Sequence, residues 1–248
     1  MMLPSGYGLI QHLIALRRDV FVNNNLDAKG KVAYVGLDFE TTGLNVVGGP
    51  EATDVPLEIG VAFFDQELNV LYARQALIAA TEDWDTVPHT DHIEQVQGMC
   101  NPHAMNMHEE TGLWQDYIKA TYGGALLTSS ELDEELARAM SDYGVDADTP
   151  LLGSTVNFDR EILRTKFPLS FTMLSHRNVD ASSIIEYSMR TLGVSFSDIS
   201  DFTTEEAEYM CEQVGNNAMI QHRALYDVLV SAAAWRWVRD GLAEVLCT

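Results

Sequence analysis

Three short stretches of this chain carry residues that could do chemistry. The first is GLDFETTGL at 36–44, an apolar run that closes on two carboxylates, Asp38 and Glu40. Residues i and i+2 of a strand face the same way, so the two acids project side by side. Like charges that close repel, and a bound cation is a natural offset. The second stretch is NFDRE at 157–161, which puts Asp159 in the first turn of a helix just after the apolar run PLLGST. The third is HRALYD, from His222 to Asp227. Positions five apart on a regular helix differ by about 140°. These two share a site only if His222 lies just ahead of the helix and Asp227 in its second turn, and the preceding VGNNAM is a suitable lead-in loop. Each stretch also has an ordinary use: a solvated strand end, a carboxylate favoured at a helix N-terminus, an exposed helix acid beside a surface or capping histidine.

The elements that must position these residues are readable in outline. Residues 5–18 have a helical apolar pattern, and NNNLDAKGK reads as a linker, so residues 1–30 form an extension to a domain at 31–248. A buried strand is expected from Val32 to Phe39, a second from Leu57 to Phe64, a turn at 65–69 and a third strand over 70–79. Residues 80–104 read as irregular. Ser129 or Ser130 is expected to cap a helix running to about Tyr143. The stretch TPLLGST reads as a short strand, and NFDREILRTKF as a helix ended by Pro168. Another helix covers 182–192 with Gly193 as its stop, and Thr203 or Thr204 caps a further short one. In the last helix Leu225, Val228, Leu229, Ala232 and Trp235 make an apolar stripe. Three strands followed by alternating helices and strands predict a mixed sheet flanked by helices.

Asp-x-Glu on a first strand, Asp after a later strand and His-x4-Asp on the final helix occur here in that order. This pattern resembles the DEDDh 3′→5′ exonucleases of the ribonuclease H-like superfamily, and within them the oligoribonucleases. The segments LEIGVAFFDQELNVL, HEETGL, LLGSTVNFDREILRTKFP, RNVDASSIIEYSMR and HRALYDVLVSAAAWRWVRD extend the likeness over most of 36–239. The resemblance implies an α/β, ribonuclease H-like sheet: an antiparallel meander plus parallel strands. It implies two divalent cations, Mg2+ or Mn2+, on Asp38, Glu40, Asp159 and Asp227, with Asp38 shared between them. His222 would take a proton from the attacking water, a task suited to the side chain that titrates nearest neutrality. The product would be nucleoside 5′-monophosphates. Leu44 would wedge against the terminal bases. Arg177, Ser182 and Ser183 would hold a 5′ phosphate, with His176 standing where relatives usually carry a tyrosine. His108 aligns with a family histidine near the active site, and a structural or capping role fits it as well. The resemblance also implies a homodimer, for which Trp235 and Trp237 offer either a contact surface or core packing.

Charge bounds the partners. The 248 residues include 15 basic and 37 acidic ones, a formal net charge of −22. Gripping a long nucleic acid needs cationic side chains that displace its counterions, so long duplexes are excluded as partners and very short oligoribonucleotides fit better. Cys100, Cys211 and Cys247 are sparse and unpaired in spacing, which suits a reducing, cytoplasmic setting and neither a disulfide framework nor a zinc site. No apolar run has the length of a membrane span, and Met1 to Val22 reads as an amphipathic helix rather than a targeting signal. Two rival readings remain at this stage. One is a DEDDh exonuclease on longer RNA or single-stranded DNA, which would want a basic or aromatic track. The other is a catalytically silent binding module on the same fold.

Overall fold

The structure, a computed structural model, describes residues 31–45, 54–193, 195–214 and 220–246. The expected helix over 5–18 lies outside them. Strands β1 (Tyr34–Thr41), β2 (Pro56–Phe64) and β3 (Val70–Leu77) form the expected antiparallel meander. The side chain of Asp65 accepts the N–H groups of Glu67 and Asn69 and so shapes the turn between β2 and β3. Two short strands complete the sheet on the other side of β1. Strand β4 (Leu151–Gly153) runs parallel to β1, and β5 (Asn178–Asp180) parallel to β4, in the spatial order β3-β2-β1-β4-β5. The mixed sheet flanked by helices is therefore the architecture found.

Several boundaries differ from those read in the sequence. Residues 80–104 are mostly helical: a 3-10 turn at Trp84–Thr86, then α1 (His89–Met99) and the start of α2 (Pro102–Glu110). Only His92 and Val96 are buried in α1, so it lacks the apolar stripe that marks a helix. Its two flanking prolines punctuate starts rather than stops, Pro88 as N-cap and Pro102 as first helical residue. Helix α3 (Leu113–Gly123) follows. The cap of α4 (Ser129–Asp142) is Thr128, which shares a reciprocal capping box with Glu131. Helix α5 (Asn157–Lys166) ends where expected, but Pro168 also opens a short α6 (Pro168–Met173). Helix α7 (Ala181–Leu192) stops at a left-handed Gly193. The short helix expected after Thr203 or Thr204 is the 18-residue α8 (Phe196–Gln213). The Thr203 hydroxyl bonds the Ser200 carbonyl inside it, a back-bond rather than a cap. Helix α9 (Ala224–Leu246) is the last.

The two faces of the sheet are covered by different helices. Val35, Leu37 and Phe39 of β1 join Leu132, Leu136 and Met140 of α4 and Ile162 and Leu163 of α5 in one core. On the opposite face Ala62 and Phe64 meet Leu225, Val228 and Leu229 of α9, with Ala207 and Met210 of α8 behind them. Strand alternation thus aims the odd residues of β1 at α4 and α5, and Gly36, Asp38 and Glu40 at α9.

Candidate active site

The last helix can lie against β1 and β2 only because two positions lack side chains. A Cβ at Gly60 would stand 2.2 Å from Ala224 C and Leu225 N, and one at Gly36 2.6 Å from Val228 Cγ1. Seated there, α9 carries Asp227 in its first turn, a turn earlier than expected. One carboxylate oxygen each from Asp38, Glu40 and Asp227 lie within 4.8 Å of one another. Both strand acids sit inside β1, with the strand irregular between Glu40 and Thr41.

Asp159 arrives from the other side of β1. Strand β4 is too short to pair with the far end of β1, which leaves the Phe39 N–H free. The buried Asp159 takes it, Phe39 N donating to Oδ1 at 3.1 Å. Asp159 therefore stands near enough to Asp38 and Glu40 to raise both, outside the 4.8 Å group and with one oxygen committed to the strand. His222 stands exposed just ahead of α9 with φ 62°, a left-handed conformation that histidine tolerates better than most side chains. Its N–H points to Asp227 Oδ1 at 3.4 Å, and its Nδ1 lies 3.9 Å from Asp227 Oδ2.

The electrostatics are those of acids without enough positive charge. Burial, then Asp159, Asp227 and Glu40, hold Asp38 well above the ordinary carboxylate range. Glu40 is pushed up to about 8, by burial first and then by Asp227 and Glu58, with Arg223 pulling the other way. Burial raises Asp159 to about 7 against the pull of the Phe39 N–H. Burial raises Asp227 to about 6, moderated by His222. An all-oxygen, carboxylate-rich donor set of this kind fits a hard divalent cation. Asp38, Glu40, Asp227 and the uncommitted oxygen of Asp159 are the atoms that could hold one.

The other expected residues fall into two groups. Leu44 is 82% exposed at the end of the bend after β1, free to meet a ligand. His176, Arg177 and Ser183 are exposed around β5, two strands away from β1. Ser182 is occupied: its hydroxyl donates to Asp180 Oδ1 at 2.6 Å and accepts from Thr155 N–H at 3.2 Å. His108 is fully buried, and its Nε2 lies 2.8 Å from the Thr41 carbonyl oxygen. Held there, it braces the end of β1 rather than lining a surface. Trp235 packs edge-on to Tyr34 within the α9 core.

Glu58 and Arg223 were not singled out in the sequence. Glu58 is fully buried in β2 and grips the Arg223 guanidinium, Nη2 to Oε1 at 2.6 Å. The available signal was a lone acid in the apolar run LEIGVAFF, since an unpartnered charge does not survive burial.

No family model matches the chain. The oligoribonuclease of Rhodococcus jostii is 31% identical over 157 residues, covering 63% of this chain and 68% of the relative. That of Cutibacterium acnes is 28% identical over 210 residues, covering 84% of this chain and 85% of the relative. Among solved structures, an exonuclease I matches with a TM-score of 0.52 at 18% identity, over 84% of this chain. The exonuclease I of Methylocaldum szegediense gives 0.51 at 19%. This chain spans about 40% of either exonuclease I chain, and at such identity the likeness concerns the fold. A ribonuclease H-like sheet, acids brought together from β1, α5 and α9, and these relatives lead to one assignment: the chain belongs to the oligoribonuclease family of DEDDh exonucleases.

Proposed function

We propose that this protein is a 3′→5′ exoribonuclease that degrades very short RNA to nucleoside 5′-monophosphates with the help of two divalent cations, Mg2+ or Mn2+. The observation that carries the reading is the convergence of Asp38, Glu40 and Asp227 within 4.8 Å, with Asp159 alongside. When bound, such cations neutralise charge on the transferring phosphoryl group and on the attacking and leaving oxygens. The protein's own groups do the rest. Asp38, Glu40, Asp159 and Asp227 hold the cations in place. His222, exposed just ahead of α9, accepts the proton of the attacking water, with Asp227 beside its imidazole. Leu44 abuts the terminal bases. Arg177 and Ser183, with His176 next to them, meet the 5′ phosphate, an assignment supported by their exposure and by the fit of guanidinium to phosphate. Ser182 contributes by holding Asp180 and Thr155.

The same reading makes the protein a cytoplasmic homodimer. Among the described residues no helix is long and apolar enough to cross a membrane. Light scattering at micromolar concentration tests the dimer.

The decisive assay is a length series. With Mn2+ or Mg2+, 5′-labelled RNAs of two to five nucleotides should be consumed faster per end than RNA or DNA of about 20. His222→Ala should lower kcat by about 10²–10⁴-fold, and Asp227→Asn should abolish most turnover. Faster loss of the long DNA than of the dinucleotide overturns the oligoribonucleotide preference. No turnover together with no divalent-cation binding favours a silent binding module.

A further inference from the structure

A fifth carboxylate lies on the same face of the sheet as the cation ligands. Glu58 of β2 is paired directly across from Glu40 of β1, and directly opposed residues of antiparallel strands share a face. Unlike the other four, Glu58 is fully satisfied. Arg223 donates to it through Nε (3.1 Å to each oxygen) and through Nη2 (2.6 Å to Oε1). Gln75 Nε2 donates to Oε1 at 2.8 Å, and the Ala224 N–H, in the first residue of α9, donates to Oε2 at 3.1 Å. The second arm of the guanidinium reaches Asp116 Oδ2 of α3 at 3.1 Å. Arg223 thus ties β2, α3 and the start of α9 together, one residue after His222 and four before Asp227. The contact is fixed from below as well, since the α9 backbone rests on Gly60 with no room for a Cβ.

We propose that Arg223 and Glu58 are positioning residues of the exonuclease: their buried pair sets where His222 and Asp227 stand relative to Asp38 and Glu40. This rests on the exonuclease reading above. Neither residue touches substrate; they act through the backbone that bears His222 and Asp227. A planar guanidinium suits the task because it grips a carboxylate at two points and fixes direction as well as distance.

The test separates positioning from stability. Removing one partner leaves a buried charge alone, whereas replacing both with apolar groups commonly restores stability. Arg223→Met should lower both the melting temperature and kcat. The double variant Arg223→Met/Glu58→Leu should regain much of the melting temperature. Its kcat on a diribonucleotide should stay at least about 10-fold below wild type, with KM within about threefold and the apparent Mn2+ dissociation constant raised about three- to 10-fold. Recovery of kcat together with stability overturns the proposal. If the double variant does not fold, Arg223→Lys serves. It keeps a charge but loses the fork, so kcat should fall at least about threefold, and a wild-type kcat overturns the proposal. If the wild-type protein itself cleaves no oligonucleotide, the exonuclease reading fails independently. The Mn2+ constant then decides, and an unchanged value in the double variant refutes positioning.

Discussion

Four acids on one patch of a folded chain repel one another until a proton or a cation intervenes, and this sets how stability responds to pH. Glu40, Asp159 and Asp227 are raised to about 8, 7 and 6, and Asp38 higher than its ordinary range. A carboxyl raised on folding stabilises the native state while it is protonated in that state, and the contribution fades as pH climbs through the raised value. Cation-free protein should therefore lose melting temperature between about pH 6 and pH 8. Mn2+ should raise the melting temperature more at pH 8 than at pH 6, because protons compete for the same oxygens. Asp38→Asn should flatten the cation-free pH profile and remove most of the Mn2+ response. Differential scanning fluorimetry reads all three, and a Mn2+ shift that is larger at pH 6 would contradict the account. At this scale the sequence was informative where chemistry is local. Strand spacing puts Asp38 and Glu40 on one face, and a helix start between His222 and Asp227 lets those two meet, but each stretch alone also reads as a solvated strand end or helix acid; the order of the motifs and the family resemblance single them out. The Glu58–Arg223 pair joins residues 165 apart, and nothing local to either announces its partner.

At the scale of elements, the position of α9 decides the site. Its first turn rests on Gly60, where an added Cβ would meet backbone atoms at 2.2 Å. Backbone of this kind cannot step aside as a flexible side chain would. Gly60→Ala should cost at least about 1–3 kcal/mol in chemical denaturation. It should reduce turnover more than a comparably destabilising change in the α4–α5 core, such as Leu136→Ala, because only the former moves Asp227. Equal activity losses at equal destabilisation would argue against this role for the glycine. The meander was legible from its apolar runs and the turn at 65–69, α4, α5 and α7 from their capping and stop residues, and α9 from its apolar stripe. Helices α1 and α2 were not, since their burial rests on few residues and their prolines read as breaks. The length of α8 was hidden by Thr203, which looks like a cap in sequence and back-bonds to Ser200 in the fold.

Over the whole molecule, a formal net charge of −22 opposes any partner rich in phosphates. A substrate of two to five nucleotides asks for few cationic contacts, so binding should release few counterions. With single strands, each phosphate neutralised adds about −0.7 to the slope of log affinity against log salt. At saturating Mn2+, log(kcat/KM) for a diribonucleotide against log[KCl] should therefore fall with a slope no steeper than about −1.5. A slope near −4 would point to a long-strand enzyme. The fold class, a mixed sheet flanked by helices, was legible from the succession of strands and helices, whereas the order of the strands and the short β5 were not. The way Asp116 of α3 and His108 of α2 reach back to brace the site was not, because those contacts exist only once the layers have closed.

The bond from Phe39 N–H to Asp159 spans 120 residues, and the grip of Glu58 on Arg223 spans 165. Contacts that distant in sequence form late, because closing such loops costs entropy before the contacts can repay it. The strand acids emerge early from the ribosome, but the histidine and the last acid come in with the helix that also seals the second core. On the site proposed above, a nascent or partly folded chain therefore holds fragments of a nuclease with no hydrolytic power. Destruction of RNA is confined to the finished topology, and turnover is itself a measure of the fraction of molecules that have reached it.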